Sequence, residues 1–198
     1  MGRQVQITKE QILQEGLRLV IEEGYEALTI TRVAERLKCS TQPIAWHFGN
    51  MTNFKNELFD YALNYLNGKM VSDSKKPFVA FSKVGINYLK AAFEEPNLLR
   101  FLFSNHSRLK GNGGVGGVFK VDFDIPKRAA KELKCSIEDA TRIIKSLVAF
   151  TQGIIYMSLL NSDLFTESEA QNMIAETSFA LIMSVGYTRN EAIMFFVE

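Results

Sequence analysis

Leu28-Thr-Ile-Thr-Arg-Val-Ala-Glu-Arg-Leu-Lys-Cys-Ser-Thr-Gln-Pro-Ile-Ala-Trp-His-Phe48 decides how this chain is read. It holds two short apolar-periodic segments, 31–37 and 41–47, joined by Lys38-Cys39-Ser40. Val33, Ala34 and Leu37 give the first segment an inward face, and Ala34 is small enough to let a second helix cross closely. Cys39 fills the apolar slot of the turn, and Ile44 and Phe48 anchor the second segment. Ser40 is expected to cap that second helix, which puts Pro43 in the first turn, where its missing N–H is harmless. Thr41, Gln42, Ala45 and Trp46 then point outward. An indole facing water on so short a helix is expected to have something to cover it. Two helices across a tight turn form the geometry that sets the second into a major groove, with the orphan amides of its first turn toward phosphate.

Outward from this core the pattern stays helical. Thr8, with Gln11 three residues on, opens a helix whose Ile12, Leu13, Leu17, Val20 and Ile21 form one stripe, and Gly24 closes it. A long helix is expected from Asn50 to Lys69. Val71-Ser-Asp-Ser-Lys-Lys-Pro77 is rich in breakers, so a boundary is placed there, giving domains 1–70 and 71–198. Beyond it, helices are expected at 78–93, 97–104, 125–133, 136–160, 166–185 and 188–197. Lys110 to Gly117 concentrates glycine and reads as a loop. No period-two pattern persists, so the fold class is all-α.

The 198 residues, 46% of them hydrophobic and with net charge +1, suit an ordinary globular chain, and the charge favours no polyanionic partner. Residues 1–50 set Arg3, Lys9, Arg18, Arg32, Arg36 and Lys38 against Glu10, Glu15, Glu22, Glu23, Glu26 and Glu35, an even balance. Cys39 and Cys135 form no CxxC and no cluster with His47 or His106, so neither a metal nor a disulfide framework is expected, and no cofactor. Cys135 stands at a helix start, where a thiol pKa can fall, but both cysteines read as packing residues. No apolar run is expected to span a bilayer and no secretory signal opens the chain, so a cytoplasmic location is expected. Nucleophile–base, phosphate-loop and metal spacings are lacking, which disfavours an enzyme.

From Thr8 to Leu66 the chain resembles the TetR family of bacterial regulators. The resemblance rests on the amphipathic first helix, the Glu23-Gly24-Tyr25-Glu26-Ala27-Leu28-Thr29 link, Ala34-Glu35-Arg36-Leu37, Ser40, and His47-Phe48. Asn50-Met51-Thr52-Asn53-Phe54-Lys55-Asn56-Glu57-Leu58 completes it in order and spacing. It implies an N-terminal three-helix helix-turn-helix domain that binds double-stranded operator DNA, and a helical C-terminal domain that takes an effector and dimerises. The expected DNA-binding residues are Thr29, Thr31, Lys38, Ser40, Thr41, Gln42, Ala45, Trp46, His47, Asn50 and Lys55. A homodimer is implied, held by the helices at 136–160 and 166–185, whose apolar residues cover more than one face: Ile143, Ile144, Leu147, Val148, Ile154 and Ile155 on the first, Phe179, Leu181, Ile182 and Val185 on the second. Repression released by ligand is the implied mode of action. The aromatic content of the C-terminal part favours a small apolar or aromatic effector, with Tyr88, Phe101, Phe103, Phe123, Phe150, Tyr156 and Met157 as its lining. Three positions depart from the family pattern: Ala45 replaces the usual Tyr, Met51 the usual Lys, and Lys38 the frequent Gly. The alternatives from other classes are a helix-turn-helix protein working through protein contacts, and a helical small-molecule carrier.

Overall fold

The computed structural model describes residues 7–104 and 124–197, and among these every regular element is a helix. In chain order they are α1 (Lys9–Glu23), a 3-10 turn (Tyr25–Ala27), α2 (Ile30–Arg36), α3 (Gln42–Phe48), α4 (Met51–Lys69), α5 (Pro77–Glu94), α6 (Pro96–Ser104), α7 (Ile125–Glu132), α8 (Ile137–Leu160), α9 (Glu167–Met183) and α10 (Arg189–Met194). Reciprocal capping boxes start α1 at Thr8 with Gln11, α9 at Thr166 with Glu169, and α10 at Thr188 with Glu191.

The helices sort into two compact units, and the division differs from a single cut at 71. The first unit holds α1–α3, α4 as far as Leu66, and α6. The second holds the end of α4, α5 and α7–α10. Helix α6 was expected with the C-terminal part, but it packs on α1 and on the 3-10 turn. The reason is its buried row, Leu98, Leu99, Phe101 and Leu102, together with Asn97, whose Nδ2 donates to the Ile21 carbonyl at 3.1 Å. Gly16 lets α4 lie close to α1: a Cβ there would sit 2.9 Å from the buried Phe54 ring.

In the second unit α8 packs against α5, α7 and α9. Ala129, Ala130, Leu133, Ala140, Ile143, Leu147, Ile182 and Ala192 close its core with Phe78, and Phe179, Tyr187, Phe195 and Phe196 border it. Helix α8 is, contrary to expectation, long and apolar enough to cross a membrane by length and composition. Its Ile143, Leu147, Ile154 and Ile155 are nevertheless buried within the unit.

The tetrapeptide Leu-Lys-Cys-Ser occurs twice, at 37–40 and 133–136, and it ends α2 and α7 in the same way. Leu37 and Leu133 both have φ −78° and keep a helical ψ. Lys38 and Lys134 then turn left-handed, φ 53° and 47°, the only described non-glycine residues with positive φ. The next amides reach back into the helix before them, Cys39 N–H to the Ala34 carbonyl at 3.0 Å and Cys135 N–H to the Ala130 carbonyl at 3.1 Å. This is a Schellman ending, which satisfies carbonyls the helix leaves free.

Candidate nucleic-acid interface

The first of these turns positions α3, whose two faces differ sharply. Ile44 is fully buried and Phe48 nearly so, while Thr41, Gln42 and Ala45 are exposed and Trp46 is 72% exposed. Phe48 meets the Phe54 ring at 5.0 Å, and Lys9 lies over the Phe48 ring while pairing with Glu57 at 2.5 Å. The inner face thus fixes α3, and beside Trp46 stands the His47 ring, at 4.6 Å.

Ser40 does not cap α3. The helix starts at Gln42 with Thr41 in the cap position, and no side chain bonds to its first turn. An N-cap hydroxyl accepts from the amide two or three residues on, and three residues after Ser40 stands Pro43, which has no N–H, so the commoner of the two donors is missing. Ser136 in the second turn has Asp139 at that place and accepts its amide at 2.9 Å. The exposed Ser40 hydroxyl therefore has no capping role.

The remaining expected residues divide between the surface and local structure. Thr31 and Lys38 are exposed. Thr29 accepts the Arg32 amide at 3.2 Å and so caps α2, and Asn50 accepts the Asn53 amide at 2.9 Å near the start of α4. His47 is half-buried, its Nε2 3.1 Å from the Ile7 carbonyl, which requires the proton on that nitrogen. Nδ1 is the ring nitrogen left for another partner. Lys55 is half-buried too: Nζ donates to the Tyr25 hydroxyl at 2.7 Å and sits over that ring.

The cations of the first unit are mostly held by carboxylates. Arg36 reaches Glu15 and Glu22 at 2.6 Å each and Glu23 at 3.1 Å, and the Glu22 bond is the chief cause of its raised pKa. Arg32 pairs with Glu23 and Arg18 with Glu15. This network clamps α2 to α1, and an even charge count does not reveal it. Among the described residues of α2, α3 and the turn between them, the groups left for a polyanion include hydroxyls, the α3 amides, Trp46 and Lys38.

The residues expected to line an effector pocket are divided between the two units. Phe101 is fully buried in the first unit, stacked on Tyr25 at 5.4 Å and edge-on to Phe59 at 6.3 Å, and Phe103 lies half-buried on the same helix. Tyr156 and Met157 stand outward on α8, 53% and 45% exposed. Phe123 is outside the described residues, as is His106. Tyr88 and the half-buried Phe150 are the members that face into the second unit. Tyr88 is buried and donates to Gln152 Oε1 at 2.9 Å, and burial pushes its ionisation well up. Aromatic character marks burial in either unit equally well, so it does not pick out one pocket. At Cys135, a half-buried residue, burial and then Asp139 push the thiol pKa up, the direction expected of a packing residue.

The apolar residues named on α8 and α9 turn largely into their own unit, with Ile144, Val148, Phe179, Leu181 and Val185 half-buried. Ile143, Leu147, Ile154, Ile155 and Ile182 are buried within the unit. The uncovered stripe of α8 is instead Ala149, Gly153, Tyr156, Met157 and Leu160, spaced three and four apart, and α9 exposes Met173, Ala180 and Met183. The small residues 149 and 153, with Leu160 beyond them, are the sequence signal for it.

Residues 12–60 match the family model described as bacterial regulatory proteins, tetR family. No curated protein matches the chain. Among solved structures, a transcriptional regulator from Rhodococcus sp. Rha1 is similar with TM-score 0.63 and 12% identity, over 92% of this chain and 100% of that one. A TetR variant from Acinetobacter baumannii AYE, in complex with minocycline, has TM-score 0.55 and 17% identity, over 90% and 96%. A transcriptional regulator from Pseudomonas aeruginosa PAO1 gives 0.56 and 16%, over 88% and 90%. At these identities the structures speak for the fold alone, and the sequence match speaks for the reading head. Residues 12–60, within the N-terminal unit, form the helix-turn-helix segment that the tetR family model describes.

Proposed function

We propose that the chain is a dimeric transcriptional repressor that reads a palindromic operator with α3 and releases it when the C-terminal unit binds a small apolar or aromatic effector. The observation that carries the DNA half is Trp46, 72% exposed on a helix whose opposite face is locked into the core. Folding gains little from an indole left in water, whereas DNA docking would cover it against sugar and thymine methyl groups. Thr41, Gln42 and Ala45 share its face, and Ser40, Thr31 and Lys38 would supply backbone contacts. Thr29, Asn50, His47 and Lys55 take second place here, since each already serves a local bond.

The dimer half rests on the uncovered stripe of α8 beside the exposed methionines of α9. A Cβ on Gly153 would meet nothing within 4 Å, so a partner helix can approach closely there. A second copy is the occupant that gives the two-fold symmetry a palindrome needs. Inside the second unit the buried Tyr88, bonded to the half-buried Gln152, offers an effector a polar handle. Such a regulator works in the cytoplasm.

Selection from a random-sequence duplex pool with the purified protein tests the reading. Enrichment of a palindrome is expected, with quenching or a shift of Trp46 fluorescence. Trp46→Ala should lose roughly tenfold or more in affinity per half-site while melting as the parent does. No enriched sequence, with an unperturbed indole, would instead support the helix-turn-helix protein that works through protein contacts. Sedimentation as a monomer at micromolar concentration would remove the dimer.

A further inference from the structure

Helix α7 carries a row of lysines on its outer face that the acids beside it do not match. Its inner face is Ala129, Ala130 and Leu133, all buried. Lys127, Lys131 and, just past the helix end, Lys134 are all exposed and recur at helical spacing. The single acid of the helix, Glu132, is turned away from this row: its Oε2 accepts the Phe78 amide at 3.1 Å near the start of α5. Asp124 pairs with Lys127 at 3.4 Å, both groups well exposed, and among the described residues no carboxylate pairs with Lys131 or Lys134. Lys127 to Lys134 spans seven residues, about 10 Å of helix rise, the length of about three phosphates along one DNA strand.

We propose that this row is a second phosphate-backbone contact for double-stranded DNA, indifferent to sequence and separate from the α3 reading face. The chemistry selects the partner. A membrane-surface helix needs an apolar face to insert, and the apolar stripe of α7 is in the protein core. A protein interface needs aromatic or aliphatic anchors, and the face that carries the lysines has none. Bare charge without anchors is how sequence-independent DNA binding works.

The test uses the full chain and a labelled duplex of arbitrary, non-palindromic sequence, titrated across a salt series. Neutralising the row, K127Q/K131Q/K134Q, should lower the slope of log affinity against log salt by about 2–3 and weaken binding about tenfold or more at low salt. A charge-matched control, K75Q/K90Q/K145Q, removes three exposed lysines elsewhere in the unit and should change the slope less. Both variants alter only solvent-facing side chains and should melt as the parent does. An unchanged slope in the first variant, or an equal drop in the control, overturns the proposal. So does parent protein that binds phosphatidylserine vesicles through these lysines but not the duplex. Trp46→Ala keeps this slope while losing sequence preference, so failure of the α7 contact and failure of the α3 reading are separable.

Discussion

Leu37-Lys38-Cys39-Ser40 and Leu133-Lys134-Cys135-Ser136 are the same four residues turning on the same left-handed lysine, yet they open helices of opposite fate. After the first comes α3, seven residues long, with no side-chain cap and a tryptophan in water. After the second comes α8, twenty-four residues long, capped by Ser136 and buried along one face. The tetrapeptide sets the turn, and the three residues after it set the use. Thr-Gln-Pro denies the serine the amide three residues on, and no side chain caps the helix start. Ile-Glu-Asp supplies the amide, and Asp139 also pairs with Arg142 at 3.2 Å. The surroundings differ as well, since the Tyr187 hydroxyl donates to the Leu133 carbonyl at 2.7 Å. The second turn is thus tied into its core.

The sharpest way to break the comparison is at the leucines. Leu133 is 1% exposed among Phe78, Ala129 and Ile143, whereas Leu37 is half-buried. Leu133→Ala should cost about 2–4 kcal/mol in chemical denaturation, the range for a buried leucine that leaves a cavity. Leu37→Ala should cost about 1 kcal/mol, because water already reaches part of the side chain. Equal costs would mean that the two turns are equally embedded, and the contrast between a core turn and a reading turn would fail.

The serines divide the two roles more finely. Ser136→Ala removes a helix cap and should cost about 1 kcal/mol of stability. It also removes the first cause of the depressed Asp139 pKa, the Ser136 hydroxyl bond. A carboxylate with a depressed folded pKa contributes stability above its unfolded pKa, and that stability is lost as pH falls through the folded value. The parent should therefore lose this contribution in acid, and the variant should have less of it to lose. Acid titration of the two proteins by circular dichroism reads the difference. Ser40→Ala, by contrast, should leave the melting curve unmoved and weaken binding to the selected duplex. A stability loss at Ser40 matching that at Ser136 would show a cap where Pro43 leaves no amide to form one.

These serines also show where sequence stops being informative. Ser before a short apolar helix is the usual capping signature, and only the proline three residues on cancels it, a conflict readable from the sequence once the donor is asked for. Helix α6 is a different case. Leu98, Leu99, Phe101 and Leu102 announce a buried stripe, but a stripe does not say which unit buries it, and Asn97 bonding to Ile21 is a contact across seventy-six positions of chain. Local pattern gave the helices, most of their caps and the outward face of α3, because capping, periodicity and turn chemistry act over a few residues. The Arg36 clamp and the uncovered stripe of α8 depend on which faces meet, and composition is silent on that.

The smallest expected effect is at the two lysines, and it separates strain from function. Lys38 and Lys134 are held at φ 53° and 47°, where a Cβ crowds the backbone and glycine does not. Replacing either with glycine should relieve about 1 kcal/mol of strain. It also frees the unfolded chain, which takes back about 0.4–1 kcal/mol. The net should be a slight stabilisation, under about 1 kcal/mol and alike at both turns, seen as a Tm shift of no more than a few degrees. The DNA effects should part company by sequence. Lys38→Gly removes the cation beside α3 and should weaken binding to the selected palindrome more than to arbitrary duplex. Lys134→Gly removes one member of the α7 row and should weaken both duplexes equally. If Lys38→Gly destabilises the protein instead, the lysine side chain has packing that its surface position does not show, and strain relief is not why glycine is common at this place in the family.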